Sequence, residues 1–166
     1  MYETLLLARH GETTWNKKHR LQGSRDIALS RSGTKQAEDL AENLSKFSID
    51  SIITSNLQRA YQTAEIVGKK FGIPVERKQG FNERAYGELE GRLWSEVRKE
   101  FATLSDSSLD EYAEAFAVFY SRVLKTLADV LRSHEDQKIL IICHGGVLRV
   151  LLGYLRKTPS LSGNIG

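Results

Sequence analysis

The sequence predicts an α/β fold, a three-layer α/β/α sandwich in which helices cover both faces of a mostly parallel sheet. Short apolar runs rich in branched residues alternate along the chain with longer segments of helical periodicity. The apolar runs also lack the polar alternation of a half-exposed strand, which favours strands covered on both faces. At 166 residues the chain is long enough for one continuous core, so we expect a single domain over residues 1–166.

Four segments are predicted to be strands. The apolar run Thr4–Ala8 predicts a central strand that is buried on both faces. Ile49–Thr54 and Lys138–Cys143 are rich in isoleucine and predict two further buried strands, and Val75–Lys78 predicts a shorter one. Helical segments separate these runs. An alternation of strands and helices is typical of parallel strands that are joined by helical crossovers.

Capping residues and apolar spacing predict the helices. Ser30 is placed to cap a helix whose apolar positions are Ala37, Leu40, Ala41, Leu44 and Phe47. A second helix is predicted over Leu57–Phe71 and closed by Gly72, and two more over Leu109–His134 and Val147–Lys157. Residues 80–92 contain three glycines and are predicted to form a loop.

Composition excludes several classes of protein. The net charge of +3 permits anionic ligands, but no block of Lys and Arg with interleaved aromatic residues predicts nucleic-acid binding. The apolar region Ile139–Leu155 contains His144 and Arg149, so we expect no membrane span. Cys143 is the single cysteine; its strand position predicts a small buried side chain, and its isolation fits a reducing compartment. No signal peptide is recognisable, so we expect a cytoplasmic protein.

Three predicted strands run directly into turns that carry candidate functional groups. These turns are Arg9-His10-Gly11, Ser55 to Arg59, and His144-Gly145-Gly146. The carboxyl ends of parallel strands form the ligand crevice of an open sheet, so the three turns should converge. Each element alone has a simpler explanation, since single histidines are more often structural and single arginines are usually solvated. The coincidence of three such turns favours a functional site.

The chemistry that suits this set is phosphoryl transfer. The guanidinium groups of Arg9 and Arg59 can each bind two phosphoryl oxygens. A neutral histidine can attack phosphorus and carry the group covalently, while the second histidine stabilises the charge on its oxygens. Gly11 is expected to leave room for the phosphate. A carboxylic acid is then needed to protonate the leaving group and to activate water.

Other chemistries lack their signatures. The four histidines show no H-x-x-x-H pair and no accompanying acidic cluster, so no metal site is predicted. The sequence also has no G-x-x-x-x-G-K-[ST] loop, no G-x-S-x-G elbow and no G-x-G-x-x-G fingerprint. We therefore predict no cofactor.

The same residues resemble the signature of the histidine phosphatase superfamily, which includes cofactor-dependent phosphoglycerate mutases and fructose-2,6-bisphosphatases. The resemblance is spread over most of the chain and is strongest in the opening RHGETTWN motif. The matching blocks are Arg9–Asn16, Gln22–Ser30, Ser55–Ala60 with Thr63–Ala64, Asn82–Gly91, and His144–Gly146.

The resemblance implies a phosphoglycerate mutase-like fold and assigns roles to matching residues. His10 is implied to be the nucleophile that becomes phosphorylated, and Glu83 the proton donor and later the general base. Only the resemblance singles out Glu83 among the many carboxylates of the chain. The residues implied to bind the phosphate or the substrate are Arg9, Asn16, Gln22, Gly23, Arg59, His144 and Gly145.

Hydrolysis and mutase activity both fit the family, and the sequence favours hydrolysis. The segments Asn82–Arg84 and Tyr86–Gly87 resemble mutases. Ala85, Gly146 and Gln22, however, replace residues typical of the mutases. Trp94 lies near the position of the mutase lysine that binds a carboxylate, and no Arg-Arg pair occurs. The alternatives kept open are a phosphoglycerate mutase and a module that binds phosphorylated ligands without turnover.

The expected partner is a small phosphorylated metabolite, and a monomer and a homodimer both stay open. Family members usually add a strand after the last helix, where this sequence has only Ser162–Gly166. Two explanations stay open, a domain without its C-terminal edge strand and a truncated or trimmed chain, and either would leave a sheet edge able to pair with a second copy.

Overall fold

The computed structural model describes residues 4–101 and 109–156, which contain one sheet of four parallel strands. The strands are β1 (Leu5–Arg9), β2 (Ser51–Thr54), β3 (Val75–Arg77) and β4 (Ile139–Cys143), in the order β1-β4-β2-β3. The helices are α1 (Thr14–Lys17), α2 (Arg31–Asn43), α3 (Gln58–Phe71), α4 (Trp94–Glu100), α5 (Phe116–Ser133) and α6 (Gly145–Leu155). Short 3₁₀ turns lie at Leu44–Lys46, Gln79–Phe81 and Gly87–Leu89.

The core is divided into two layers by β4, whose five residues are all buried. Successive side chains of a strand point to opposite faces of the sheet. Ile139, Ile141 and Cys143 therefore pack with α5 and α6, while Leu140 and Ile142 pack with α2 and α3. Helices thus cover both faces, and the predicted three-layer α/β/α sandwich is confirmed.

Strand β1 is not central, contrary to the sequence-based expectation. Its side chains pack on both faces of the sheet, since Leu5 and Leu7 join one layer and Leu6 and Ala8 join the other. Within residues 4–101 and 109–156, however, β1 pairs only with β4 and forms an edge of the sheet. Its four apolar residues are therefore only partly buried. An apolar run predicts cover on the two faces of a strand but carries no information about its lateral neighbours.

The predicted ends of the first two long helices agree with the structure. The Ser30 hydroxyl accepts a hydrogen bond from the Gly33 N–H at 3.1 Å and caps α2. Gly72 ends α3 in the left-handed conformation, with φ of 68°. Phe47 follows α2 and its 3₁₀ turn and is 42% exposed, so it is not the core residue that helical spacing predicted.

The helix predicted to begin at Leu109 begins instead at Phe116. The Asp110 carboxylate accepts the Phe116 N–H at 3.0 Å and also binds Arg84, while the Glu114 carbonyl accepts from the same arginine. These contacts with Arg84 hold the preceding residues outside the helix. Helices α1 and α4 were not predicted. Lys157 and the segment expected to lack a C-terminal strand lie outside the described residues.

The strand register brings the polar turns together. Arg9 is the partner of Cys143 in the β1–β4 ladder, so the next residues, His10 and His144, lie side by side. Thr54 is the partner of Ile142, which places Ser55 at the same edge of the sheet. Among the described residues no helix is both long and apolar enough to cross a membrane.

Candidate active site

A pocket of about 260 Å³ lies where the carboxyl ends of β1, β2 and β4 meet. Nearly every site residue predicted from the sequence lies in its wall, and His144 lies directly behind His10. The predicted residues in the wall are Arg9, His10, Asn16, Gln22, Gly23, Arg59, Glu83 and Gly145. In the structure the three polar turns therefore lie together at this edge of the sheet, as predicted.

The His10 ring is fixed in one tautomer. Its Nδ1–H donates to the Gly11 carbonyl oxygen at 2.7 Å, so the other ring nitrogen, Nε2, carries the free lone pair. Burial, followed by the positive charge of Arg59, lowers the pKa of His10 to about 3. The ring is therefore neutral at physiological pH, which is the form that can act as a nucleophile.

Gly11 has a different use from the one expected. A Cβ at this position would lie 2.4 Å from the Gly33 carbonyl oxygen, so the missing side chain makes room for the backbone of α2 and not for a phosphate. The Gly11 N–H also donates to the Thr63 hydroxyl of α3 at 3.0 Å. The turn after β1 is thus held between α2 and α3, and these contacts fix the backbone at His10.

His144 is fully buried, with its ring centroid 5.1 Å from that of His10. Its Nε2 lies 2.7 Å from the Ser55 hydroxyl, while its Nδ1 is buried without a partner in the described part of the chain. We assign the proton to Nδ1, because the Ser55 O–H can then donate to Nε2. Burial and the charge of Arg59 lower the pKa of His144 well below its usual value, so this ring is also neutral.

Arg59 is the second residue of α3 and is only 1% exposed. Its Nη1 and Nη2 donate to the carbonyls of Arg25 and Gly23 at 2.7 and 2.8 Å, whereas its Nε–H has no partner among the described residues. Burial lowers the pKa of Arg59 to about 10, so the group stays charged at neutral pH. A buried cation with an unused N–H in the wall of a pocket is suited to an anionic ligand.

The remaining residues predicted to bind substrate line the pocket near His10. The Arg9 side chain extends over Gly145. A Cβ added to Gly145 would lie 3.7 Å from the guanidinium carbon of Arg9. The Asn16 Oδ1 accepts the Thr13 N–H at 2.9 Å in a capping box, which leaves the Asn16 amide NH₂ free to donate. Gln22 is buried and its Oε1 accepts from the Thr13 hydroxyl at 2.8 Å. The Gly23 carbonyl binds Arg59, as described above.

Glu83 faces the first turn of α6. One carboxylate oxygen accepts the Gly146 N–H at 3.0 Å, and the other accepts the Arg84 N–H at 3.0 Å. The positive end of the helix dipole favours a carboxylate there. A Cβ on Gly146 would lie 2.3 Å from the Glu83 Oε1, so glycine is what lets the carboxylate approach the helix.

The loop that carries Glu83 is anchored by a buried aromatic side chain and by an arginine of α5. Phe81 is fully buried, and Arg122 of α5 donates to the carbonyls of Gly80, Asn82 and Glu83 at 2.9, 2.8 and 3.1 Å. The same guanidinium forms a two-bond ion pair with Glu114 at 2.6 and 2.8 Å. Sequence reasoning missed Arg122, because the carbonyls that it binds lie about forty positions away along the chain.

Glu90 holds the loop opposite Glu83. Its Oε1 accepts the N–H groups of Ser24 and Tyr86 at 2.7 and 2.9 Å and the Ser24 hydroxyl at 2.9 Å, and its Oε2 lies 3.3 Å from the Arg25 guanidinium. This carboxylate therefore fixes the segment whose carbonyls bind Arg59. No sequence pattern marks Glu90 for this function.

Cys143 and Glu12 take no part in the wall of the pocket. Cys143 is fully buried, as predicted, and burial raises the pKa of its thiol. The Glu12 carboxylate accepts from the Ser32 hydroxyl at 2.6 Å and lies 3.5 Å from Lys17, and the first of these contacts is the main cause of its lowered pKa. Within residues 4–101 and 109–156, no group of three His, Cys, Asp or Glu side chains is arranged to hold a metal ion.

Sequence reasoning also missed part of the pocket wall. His19, Arg20, Leu21, Tyr86 and Arg149 line it, as does Trp94, which had been noted only for its place in the mutase pattern. These residues come from two separate loops, from the start of α4 and from the second turn of α6, and no local motif marks them.

The fold and the site together define an α/β enzyme with a neutral histidine in a pocket that is suited to an oxyanion. The chain belongs to the histidine phosphatase superfamily, branch 1, whose family model matches residues 5–163. The resemblance inferred from the sequence is thereby confirmed, and the protein is an enzyme of the histidine phosphatase type.

Curated relatives include both phosphatases and mutases. The uncharacterized phosphatase PhoE of Bacillus subtilis is 36% identical over 146 residues, covering 88% of this chain and 74% of the relative. A metal-independent phosphoserine phosphatase of Arabidopsis thaliana is 34% identical, covering 95% of this chain and 70% of the relative. A phosphoglycerate mutase of Schizosaccharomyces pombe is 32% identical, covering 89% and 77%.

Solved structures share the fold. YhfR of Bacillus stearothermophilus matches with a TM-score of 0.83 at 31% identity, covering 95% of this chain and 82% of that one. The α-ribazole phosphatase of Shigella flexneri matches with a TM-score of 0.80 at 31% identity, covering 93% and 80%.

Proposed function

We propose that the protein hydrolyses phosphate monoesters of small metabolites without a metal, through a phosphohistidine on His10. The observation that carries the proposal is a pair of buried nitrogens beside His10, Arg59 Nε and His144 Nδ1, neither of which has a partner among the described residues. Buried donors in proteins are normally paired, so two such donors close to one neutral histidine favour an anionic ligand there. A phosphoryl group supplies the acceptor oxygens that both donors need.

In the first step the His10 Nε2 lone pair attacks phosphorus and the bond to the leaving oxygen breaks. The protonated Glu83 carboxyl gives its proton to that oxygen, which leaves as an alcohol. Arg9, Arg59 and the His144 Nδ1–H stabilise the negative charge on the phosphoryl oxygens, and the Asn16 amide adds a further donor. The products of this step are an alcohol, phospho-His10 and the Glu83 carboxylate.

In the second step the Glu83 carboxylate removes a proton from a water molecule. The water oxygen attacks phosphorus while the bond to His10 Nε2 breaks, which releases inorganic phosphate and restores neutral His10. The Gly146 and Arg84 N–H groups hold the carboxylate in place through both steps. Glu83 also separates this proposal from a module that only binds phosphorylated ligands, because such a module needs no acid in the pocket.

Turnover of a generic aryl phosphate in the presence of a metal chelator tests the proposal. Wild type should hydrolyse the ester, His10→Ala should lose activity by at least about a thousandfold, and a matched His134→Ala variant should keep it. His134 is a suitable control because it lies at the end of α5 and takes no part in the pocket wall. Hydrolysis that survives in His10→Ala, or that stops when metal is removed, contradicts the proposal.

Phosphoglycerate mutase activity is the second candidate, because relatives with that name match most of the chain. A mutase must keep its phosphoryl group for return to the substrate, whereas a phosphatase gives it to water. The two are distinguished by supplying 3-phosphoglycerate with its bisphosphate primer and measuring both products. We expect inorganic phosphate to form; interconversion of the phosphoglycerates without phosphate release would identify the mutase instead.

A further inference from the structure

A buried hydroxyl in the turn after β2 contacts one of the two histidines at the sheet edge. Ser55 is fully buried, and its Oγ lies 2.7 Å from the Nε2 of His144. The backbone N–H of Leu57, which caps the start of α3, donates to the same oxygen at 3.2 Å. Ser55 therefore joins the beginning of the helix that carries Arg59 to the ring of His144.

The contact with Leu57 sets the direction of the hydrogen bond between Ser55 and His144. A hydroxyl has one proton and two lone pairs, and one lone pair of Ser55 accepts the Leu57 N–H. Among the described residues, the only other partner of this hydroxyl is His144 Nε2. A buried hydroxyl proton without an acceptor is costly, so Ser55 donates and Nε2 accepts. The neutral His144 ring then carries its single proton on Nδ1.

The position of this proton decides what His144 can do for a bound phosphoryl group. Because Ser55 occupies Nε2, the nitrogen left for a ligand is Nδ1, which is buried and has no partner in the described part of the chain. The ring lies beside His10, with 5.1 Å between the two ring centroids. With its proton on Nδ1 the ring donates to a phosphoryl oxygen, whereas the opposite tautomer would direct a lone pair at it.

The donors between α3 and His144 all point in one direction. The Leu57 N–H donates to Ser55, the Ser55 hydroxyl donates to His144, and the Nδ1–H is left to donate to a ligand. Hydrogen bonds in such a chain polarise one another, which makes the last N–H a stronger donor. The start of α3 therefore organises both buried donors that lack a partner, Arg59 directly and His144 through Ser55.

We propose that Ser55 is a positioning residue that fixes the tautomer of His144 and so presents the Nδ1–H to the phosphoryl oxygens. Ser55 takes no part in the pocket wall, and it acts only through the histidine. The tautomer is a property of the protein without substrate. Its effect on turnover rests on the proposed function, because it assumes a phosphoryl group at His10.

Nitrogen-15 NMR of the histidine rings tests the tautomer directly. We expect wild-type His144 to carry its proton on Nδ1 and a bare lone pair on Nε2, with the two resonances assigned by their absence from His144→Asn. Ser55→Ala should shift the ring towards the Nε2–H form, because no group then donates to Nε2. A wild-type ring protonated on Nε2 overturns the proposal, and this result needs no Ser55 variant to fold.

Binding of inorganic phosphate and turnover of an aryl phosphate measure the consequence. Ser55→Ala should raise the Kd for inorganic phosphate by about tenfold and lower kcat/KM by about tenfold. The loss is smaller than the hundredfold or more expected for a deleted oxyanion donor, since this donor is misdirected in only part of the molecules. Ser55→Thr keeps a hydroxyl and should restore the tautomer, the phosphate affinity and the turnover.

Thr54→Val is the matched control, because it removes the neighbouring buried hydroxyl without touching His144. Thr54 is fully buried, and its Oγ1 donates to the Ile142 carbonyl at 2.8 Å. Each variant loses buried hydrogen bonds, so both should lower the thermal unfolding temperature. Thr54→Val should nevertheless keep kcat/KM within about twofold of wild type. Equal losses of turnover in the two variants would identify a merely structural role for Ser55 and overturn the proposal.

The proposal also fails if Ser55→Ala retains the wild-type ring spectrum or the wild-type affinity for phosphate. This failure can be distinguished from failure of the proposed function. Aryl phosphate turnover that requires His10 in an enzyme whose His144 is protonated on Nε2 rejects the role of Ser55 alone. Turnover that survives in His10→Ala rejects the proposed function.

Discussion

His10 owes its reactive form to two features of its surroundings. The Gly11 carbonyl fixes the proton on Nδ1, and burial beside Arg59 keeps the ring neutral by lowering its pKa. A solvated histidine would have neither property, since both tautomers would exchange and about a quarter of the rings would be charged near neutral pH. The residue type supplies the nitrogen, and its neighbours supply the geometry and the charge state.

Gly146→Ala tests the position of Glu83. The new Cβ would overlap the Glu83 Oε1, so the carboxylate must move and lose the N–H of residue 146. We expect kcat to fall by about tenfold or more on alkyl phosphates and by less on aryl phosphates, because a good leaving group needs little protonation. The measurement is the ratio of the two kcat values.

The neighbouring substitution provides the comparison. A Cβ on Gly145 would meet only the Arg9 side chain at an ordinary contact distance of 3.7 Å, so Gly145→Ala should lose less activity. Equal losses on alkyl and aryl phosphates in Gly146→Ala would contradict the assignment of Glu83 as the acid.

Among the elements, the long helix α5 controls a loop that is distant in sequence. Arg122 bonds three carbonyls of the segment that carries Glu83 and pairs with Glu114 through two N–H groups. On the opposite side Glu90 fixes the loop whose carbonyls bind Arg59. These two sets of polar contacts between elements therefore set the separation between Glu83, the proposed acid, and Arg59, the proposed phosphate ligand.

Arg122→Met should weaken both folding and catalysis. The substitution leaves Glu114 and three carbonyls without their donor, so we expect the free energy of unfolding to fall by about 2 kcal/mol. The loss of kcat should be larger on alkyl than on aryl phosphates, because Glu83 is displaced. Arg132→Met on the same helix is the control for stability. Wild-type kcat on alkyl phosphates in Arg122→Met would contradict the positioning role.

The whole molecule carries two buried neutral histidines, and this makes its stability depend on pH. The pKa of His10 is about 3 in the folded state against 6.5 for the free side chain, and that of His144 is lowered in the same direction. The unfolded chain therefore binds more protons between these values. Stability rises with pH through this window and is lost as the pH falls from about 6.5 towards 3.

Urea unfolding at a series of pH values measures this linkage. His10 should contribute a slope of about 1.4 kcal/mol per pH unit where the unfolded form is protonated, near pH 5, and His144 should add a slope of the same sign. His10→Asn should remove one of these contributions and flatten the curve. A curve for His10→Asn parallel to that of wild type over about pH 5–7 would contradict a neutral buried His10.

The sequence was sufficient to predict the residues that follow strands but not those held by distant partners. His10, His144 and Arg59 could be grouped because parallel strands end at one edge, whatever the details of packing. Glu83 needed the family resemblance, since its position depends on Arg122 and Gly146. Arg20 and Arg149 could not be assigned to the pocket at all.

The positions and ends of whole strands and helices were mispredicted for the same reason, because they depend on contacts between residues that are distant in sequence. The leucines of β1 indicate cover on two faces, but its place at the edge depends on which strands pair. Likewise α5 begins at Phe116 because Arg84 binds Asp110 and Glu114, which helical spacing cannot encode. Local patterns specify strands and helices, and side-chain contacts over long sequence separations decide their ends and their order.

We propose that His10 carries the phosphoryl group during turnover. Rapid quenching of the reaction with a substrate labelled in its phosphoryl group, followed by peptide mapping, detects this intermediate. We predict an acid-labile, base-stable label on the peptide containing His10, at higher occupancy in Glu83→Gln and absent in His10→Ala. Release of labelled phosphate with no labelled enzyme at any time, or a label on another residue, would contradict the account.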